Sequence, residues 1–179
     1  MKSPTSIPSD KPFILGIDPG YSGALALYSL DTSSLVEVID MPTKLSATAS
    51  GGQKRRLILP EIANFLDINK DMIRGCVIED VTAMPGNGVT GMFNFGFSTG
   101  QIHGLLAAYN IDVIAIRPTT WKSVYGLSRD KKLSIERAKV HFPTHAHSFR
   151  KASHDGRAEA AFLAKYGERI FQNQKGHLV

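Results

Sequence analysis

Asp18 closes the apolar run Phe13-Ile14-Leu15-Gly16-Ile17 and stands directly before Pro19-Gly20. Glu79 closes a second run, Cys76-Val77-Ile78. Short apolar runs bounded by turn residues are the pattern of buried strands, so two strands deliver carboxylates to the edge of a sheet. An isolated buried carboxylate is costly and must be paired, protonated or bound to a cation. Whatever this chain folds into has to solve that problem twice, at two strand ends.

A C-terminal helix, expected from Ser153 to Tyr166, adds two more acids. At 100° per residue, Arg157, Lys165 and Glu168 fall on one side. Asp155 and Glu159 fall nearly opposite, on the stripe of Phe162 and Tyr166. Asp155 in the first turn suits the positive end of the helix dipole, but Glu159 has no such explanation. Two like charges on a packed face repel and raise each other's pKa unless a cation compensates. Hard oxygen donors without clustered Cys or His favour Mg²⁺ or Mn²⁺ over Zn²⁺. Carboxylates holding two such ions about 4 Å apart clamp the attacking and leaving oxygens of a phosphodiester.

The order of elements is that of an α/β sheet. Phe13–Asp18, Gly23–Leu30 and Leu35–Met41 are joined by short turns and predict an antiparallel meander. Pro42 to about Arg56 is polar and is expected to be a mobile loop. A helix opens at Leu59-Pro60, with proline in its first turn. Strands follow at Arg74–Asp80 and Ile111–Ile116, each after helical sequence. The whole predicts a mixed five-stranded sheet with helices on both faces. Glu79 and Asp80 leave their strand on opposite faces, so one of them joins Asp18. The helix from about Gly91 to Tyr109 carries Gly96, Gly100, Gly104 and Ala108 on one stripe, first expected to pack on the sheet, with a second subunit as the alternative.

At 179 residues and 42% hydrophobic content the chain is one domain with a real core. Its net charge of +5 points to an anionic partner, and around an acid cluster the natural anion is a nucleic-acid phosphate. The single cysteine, Cys76, is expected in the core and excludes an internal disulfide. No apolar stretch reaches the roughly 18 residues of a membrane span, and the first ten residues lack a hydrophobic signal core. A cytoplasmic protein without a membrane partner is the expectation.

Ile14-Leu15-Gly16-Ile17-Asp18-Pro19-Gly20 with Ser22-Gly23-Ala24 resembles the first-strand signature of RuvC-type Holliday junction resolvases. Val77-Ile78-Glu79-Asp80 resembles their second acidic strand. Gly100-Gln101-Ile102-His103-Gly104, then Ile116-Arg117-Pro118-Thr119-Thr120-Trp121-Lys122, and His154-Asp155-Gly156-Arg157-Ala158-Glu159-Ala160 complete the likeness, in the form common among phage and prophage members. It covers about Phe13 to Tyr166, and its specificity lies in the order and spacing of the motifs.

The resemblance implies a ribonuclease H-like fold and a homodimer that cuts opposed strands of four-way-junction DNA. It implies a tetrad of Asp18, Glu79, Asp155 and Glu159 holding Mg²⁺ or Mn²⁺, two per active site. One ion would ready a water and the other would stabilise the leaving 3′ oxygen, giving a 5′-phosphate product. Lys122 and Lys131 or Lys132 match the family's basic positions. On this reading residues 1–12 are a tail, 13–167 the nuclease domain and 168–179 a second tail.

The sequence departs from the family twice. The aromatic wedge expected after the second acidic strand falls near Thr82, with Met84, Met92 and Phe93 as substitutes; apolar side chains of this type unstack bases. The terminal acids are four apart, where known members space them by three, which displaces Asp155; His154 is expected as a surface histidine at the helix start. Of the remaining features, Lys54-Arg55-Arg56, Arg129 to Lys132 and Arg150-Lys151 are basic clusters suited to phosphate attraction. Trp121 is expected in the core, and His141, His145 and His147 in a loop. Pro85 to Gly91 lacks the Gly-Lys-Ser/Thr of a P-loop, so no nucleotide cofactor is expected. Asp18-Pro19-Gly20 also resembles the first phosphate loop of actin-like ATPases, which need a second such domain. Other branched DNA, RNA as in the YqgF-like branch, and an inactive junction-binding module are the remaining alternatives.

Overall fold

The computed structural model describes residues 10–48, 51–80, 88–128 and 130–173. Its centre is a five-stranded sheet built from β1 (Phe13–Asp18), β2 (Ala24–Ser29), β3 (Ser34–Asp40), β6 (Ile73–Glu79) and β7 (Val113–Ile116), in the order β3-β2-β1-β6-β7. The first three strands form the antiparallel meander, while β6 and β7 add in parallel to β1.

Period-two alternation divides the sheet's residues between two cores. Leu15, Ile17, Leu25, Cys76 and Ile78 pack with Ile62, Phe65 and Leu66 of α1 (Leu59–Asn69) and with Ile102 and Leu106 of α2 (Val89–Ala108). Ile14, Ala24, Ala26, Tyr28 and Val77 face the other way. They meet Trp121 of α3 (Pro118–Val124), Ile135 and Ala138 of α4 (Lys131–His141), and α5 (Asp155–Asn173).

The α5 helix lies unusually close to the sheet because both surfaces are stripped to small residues. A Cβ on Gly16 would come 2.2 Å from the Ala160 carbonyl and 2.3 Å from the Ala164 nitrogen. One on Gly156 would meet the Ser22 carbonyl at 2.4 Å, and one on Gly167 the Ile14 side chain at 2.5 Å. Only glycine fits at these crossings. Packing continues past the expected end of the helix, for Phe171 is fully buried against Gly75. The folded part therefore includes Glu168 to Asn173, which the sequence reading assigned to a tail.

Two further expectations are corrected. The stretch from Pro42 to Arg56 is a two-stranded ribbon, β4 (Thr43–Ala47) paired with β5 (Gln53–Leu57), closed by Thr48 and Gly52. Its polar and basic residues give it no apolar alternation, so it looks like loop in the sequence. The stripe of Gly96, Gly100 and Gly104 on α2 faces solvent, with nothing within 4 Å of an added Cβ at any of the three. The helix buries Ser98, Ile102 and Leu106 instead.

Candidate metal centre

The parallel register pairs Gly16 with Val77 and Ile17 with Ile78, so Asp18 and Glu79 follow side by side at the carboxyl ends of β1 and β6. Both belong to the α5 side by alternation, since Gly16 meets that helix and Val77 lies in its core. Asp80 follows the strand end, its backbone nitrogen donating to the Ile116 carbonyl at 2.9 Å. Glu159, one turn into α5, completes the group: carboxylate oxygens of Asp18, Glu79 and Glu159 all lie within 4.8 Å of one another.

The electrostatics follow from this crowding. Burial, reinforced by the charges of Glu159 and Glu79, holds the Asp18 carboxyl well above the usual range, with Lys122 opposing and Asp155 adding a smaller push. Burial first and Glu159 second push Glu79 up to about 6, again against Lys122. Lys122 extends from α3 into the cluster, its Nζ 2.8 Å from Glu159 and 4.0 Å from Glu79. The ammonium also rests over the buried Trp121 ring at 5.1 Å, so Trp121 is the expected core residue.

Three carboxylates thus face one ammonium, and buried Glu79 Oε1 is left with Lys122 Nζ at 4.0 Å and the Trp121 indole, whose pull on its pKa is the weakest of the influences on it. Three carboxylates converging within 4.8 Å against one ammonium are a donor set suited to a hard divalent cation. The residues fit Mg²⁺ or Mn²⁺.

Asp155 is not part of the close group. It heads α5, and its Oδ2 accepts from Lys131 Nζ at 2.5 Å. Lys132 is exposed on the first turn of α4, where its backbone nitrogen is capped by Asp130. His154 is buried, not on the surface as expected, and its Nδ1 faces the Lys151 nitrogen at 3.4 Å. Phe93 is 66% exposed on α2 and stacks on Phe97 with centroids 6.2 Å apart. Thr82 and Met84 lie outside the described residues. His141 ends α4, while His145 and His147 lie in a short 3-10 segment, Pro143–Phe149.

Sequence reasoning missed the Arg157–Asp40 pair, which ties the first turn of α5 to the end of β3 by Nε–Oδ1 at 2.5 Å and Nη2–Oδ2 at 2.6 Å. A signal was available, since Arg157 sits between the two helix acids and opposite their face. Its partner is 117 residues away and could not be found from spacing.

Parallel strands that end in acids, crossed by an acidic helix on one face, define the ribonuclease H-like class of fold. More narrowly, the fold is RuvC-like. T. thermophilus RuvC in complex with Holliday junction substrate superposes with a TM-score of 0.55 at 14% identity, covering 92% of this chain and 96% of that one. A Thermus thermophilus RuvC structure gives a TM-score of 0.50 at 15% identity, with the same coverage. No protein-family model and no curated protein matches the sequence.

Proposed function

We propose that the protein is a metal-dependent endonuclease that resolves four-way DNA junctions by paired nicking of opposite strands, acting as a homodimer. The observation that carries this reading is the close three-carboxylate cluster, opposed by the single ammonium of Lys122, at the strand ends of a RuvC-like frame on a chain of charge +5.

Asp18, Glu79 and Glu159 would hold the cation, with Asp155 joining from the head of α5. A bound Mg²⁺ or Mn²⁺ supplies Lewis-acid charge and a water of lowered pKa. The protein's own residues do the rest. Lys122, Lys131 and Lys132 neutralise phosphate drawn toward the carboxylates, which would otherwise repel it. The Gly16 and Gly156 crossings fix Glu159 against Asp18 with little freedom, as transition-state binding requires.

Paired cuts need two sites, and the exposed face of α2 offers a surface for a second copy. Gly96, Gly100 and Gly104 would allow close backbone approach, while Phe93, nearer the start of the helix, is an apolar side chain of the kind that unstacks bases.

Cleavage of a labelled, immobile four-way junction beside linear duplex, in Mg²⁺, Mn²⁺ and EDTA, tests the reading. Symmetric metal-dependent nicks on opposed strands are expected. Asp18→Asn should abolish them and leave junction binding intact. Cleavage by that variant at the native rate, or preference for RNA or linear duplex, overturns the proposal.

A further inference from the structure

From Met41 to Pro60 the sequence contains no Asp or Glu and four cations, Lys44, Lys54, Arg55 and Arg56. The β4–β5 ribbon organises three of them. Its register sets Lys44 opposite Arg56 and Ser46 opposite Lys54. Cross-strand partners share a face, so Lys44, Lys54 and Arg56 stand together, while Arg55 turns to the other side and donates to Thr43 Oγ1 at 3.0 Å.

Directly opposed like charges destabilise an antiparallel pair. A solvated ribbon ordinarily relieves this with interleaved acids. Here none of the four cations has an ion pair among the described residues. Arg56 stacks its guanidinium over Phe97 of α2 at 5.7 Å, with Nη1 buried and without a hydrogen-bond partner. Among the described residues this positive face meets no acid: Lys44 is its exposed member, and Lys54 and Arg56 are half-buried.

Its position links it to the acid cluster. Phe97 is two residues from Phe95, whose ring lies 3.8 Å from a Cβ built on Gly20, in the turn that follows Asp18. The first half of α2 therefore touches the ribbon through Phe97 and, through Phe95, the turn that follows Asp18.

We propose that Lys44 and Lys54, on the face of the β4–β5 ribbon that Arg56 anchors against Phe97, grip the phosphate backbone of a duplex arm of the DNA substrate. The inference rests on the nuclease reading above for the identity of that DNA. A two-stranded ribbon has the dimensions to follow a duplex groove, and lysines on it position the protein without reading sequence.

The test uses the full chain and the variants K44Q/K54Q and K44E/K54E, leaving the partly buried Arg56 in place. Junction binding in EDTA is followed across a salt titration. Each lost phosphate contact lowers the slope of log K against log salt by about 0.9, so K44Q/K54Q should reduce it by about 2. The charge reversal should weaken binding further, and both differences should vanish on junctions with truncated arms. Mn²⁺ binding without DNA should match the parent, because neither lysine touches the carboxylates, and urea midpoints should not fall, because removing Lys44 relieves its repulsion of Arg56. An unchanged slope in a variant that keeps its fold overturns the ribbon proposal and leaves the nuclease reading standing. So does a change of oligomeric state without a change of slope. If the parent binds duplex with a ribbon-dependent slope yet cuts no junction, the ribbon stands and the junction reading falls.

Discussion

Lys131 Nζ lies 2.5 Å from the carboxylate of Asp155, the one acid of the proposed tetrad outside the close group. The lysine side chain is 72% exposed and the aspartate 15% exposed, so the pair sits at the mouth of the cluster. With its ammonium in solvent, the pair gains little over hydration of the lysine, about 1 kcal/mol. The contact holds Asp155 aside and costs little to break.

Lys131→Met should therefore leave stability within about 0.5 kcal/mol of the parent. Removing a cation beside three carboxylates should also tighten Mn²⁺ binding, by roughly three- to fivefold for an interaction of this size. Junction affinity should fall at the same time, because a phosphate contact is lost. Calorimetric Mn²⁺ titration without DNA checks the first effect; weaker Mn²⁺ binding would mean that Lys131 does not restrain Asp155.

Glu79 makes the stability of the metal-free protein depend on pH. Its folded pKa is raised from 4.5 to about 6, chiefly by burial, so the folded state binds the proton more tightly than the unfolded chain does. That contribution is fully present below pH 4.5 and is lost as pH rises through about 6. The loss is about 2 kcal/mol, at 1.36 kcal/mol per unit. Asp18 acts with the same sign. Asp40 acts oppositely, because the Arg157 hydrogen bond lowers its carboxyl, but that effect falls below the ordinary aspartate value of 3.8. Urea midpoints in EDTA should be higher near pH 5 than near pH 7.5. Glu79→Gln should flatten the difference, and Mg²⁺ should abolish it. A wild-type midpoint that rises with pH across this interval contradicts the burial argument.

How much of this was legible depended on whether a residue's environment is set by its neighbours in sequence. Asp18 and Glu79 were readable because each terminates a local apolar run, and alternation fixes which face the last side chain takes. The ribbon was not, since pairing between Lys44 and Arg56 leaves no periodic trace when both faces carry polar or basic side chains. The small-residue stripes show the same limit. The one on α2 was conspicuous, yet it faces solvent. The one that packs on the sheet is divided between Gly16 on a strand and Gly156, Ala160, Ala164 and Gly167 on a distant helix. His154 looked like a surface residue because nothing local reveals that the 3-10 turns before α5 fold over it. Asp155 was expected to be displaced from its four-residue spacing, but the lysine beside it belongs to another helix.

The two glycine stripes give opposite predictions. Gly16→Ala drives a methyl into the α5 backbone at 2.2 and 2.3 Å, where neither side can yield. Overpacking of this kind costs about 1–3 kcal/mol, and pushing α5 away should also separate Glu159 from Asp18 and weaken Mn²⁺ binding. Gly100→Ala meets nothing within 4 Å and replaces glycine inside a helix, which should stabilise an isolated subunit by about 1 kcal/mol. If the face of α2 joins two copies, Gly100→Leu should split the dimer while leaving the subunit folded and able to bind Mn²⁺. Light scattering and urea melts of the three variants separate these outcomes. A Gly100→Leu protein that stays dimeric would move the subunit interface off α2.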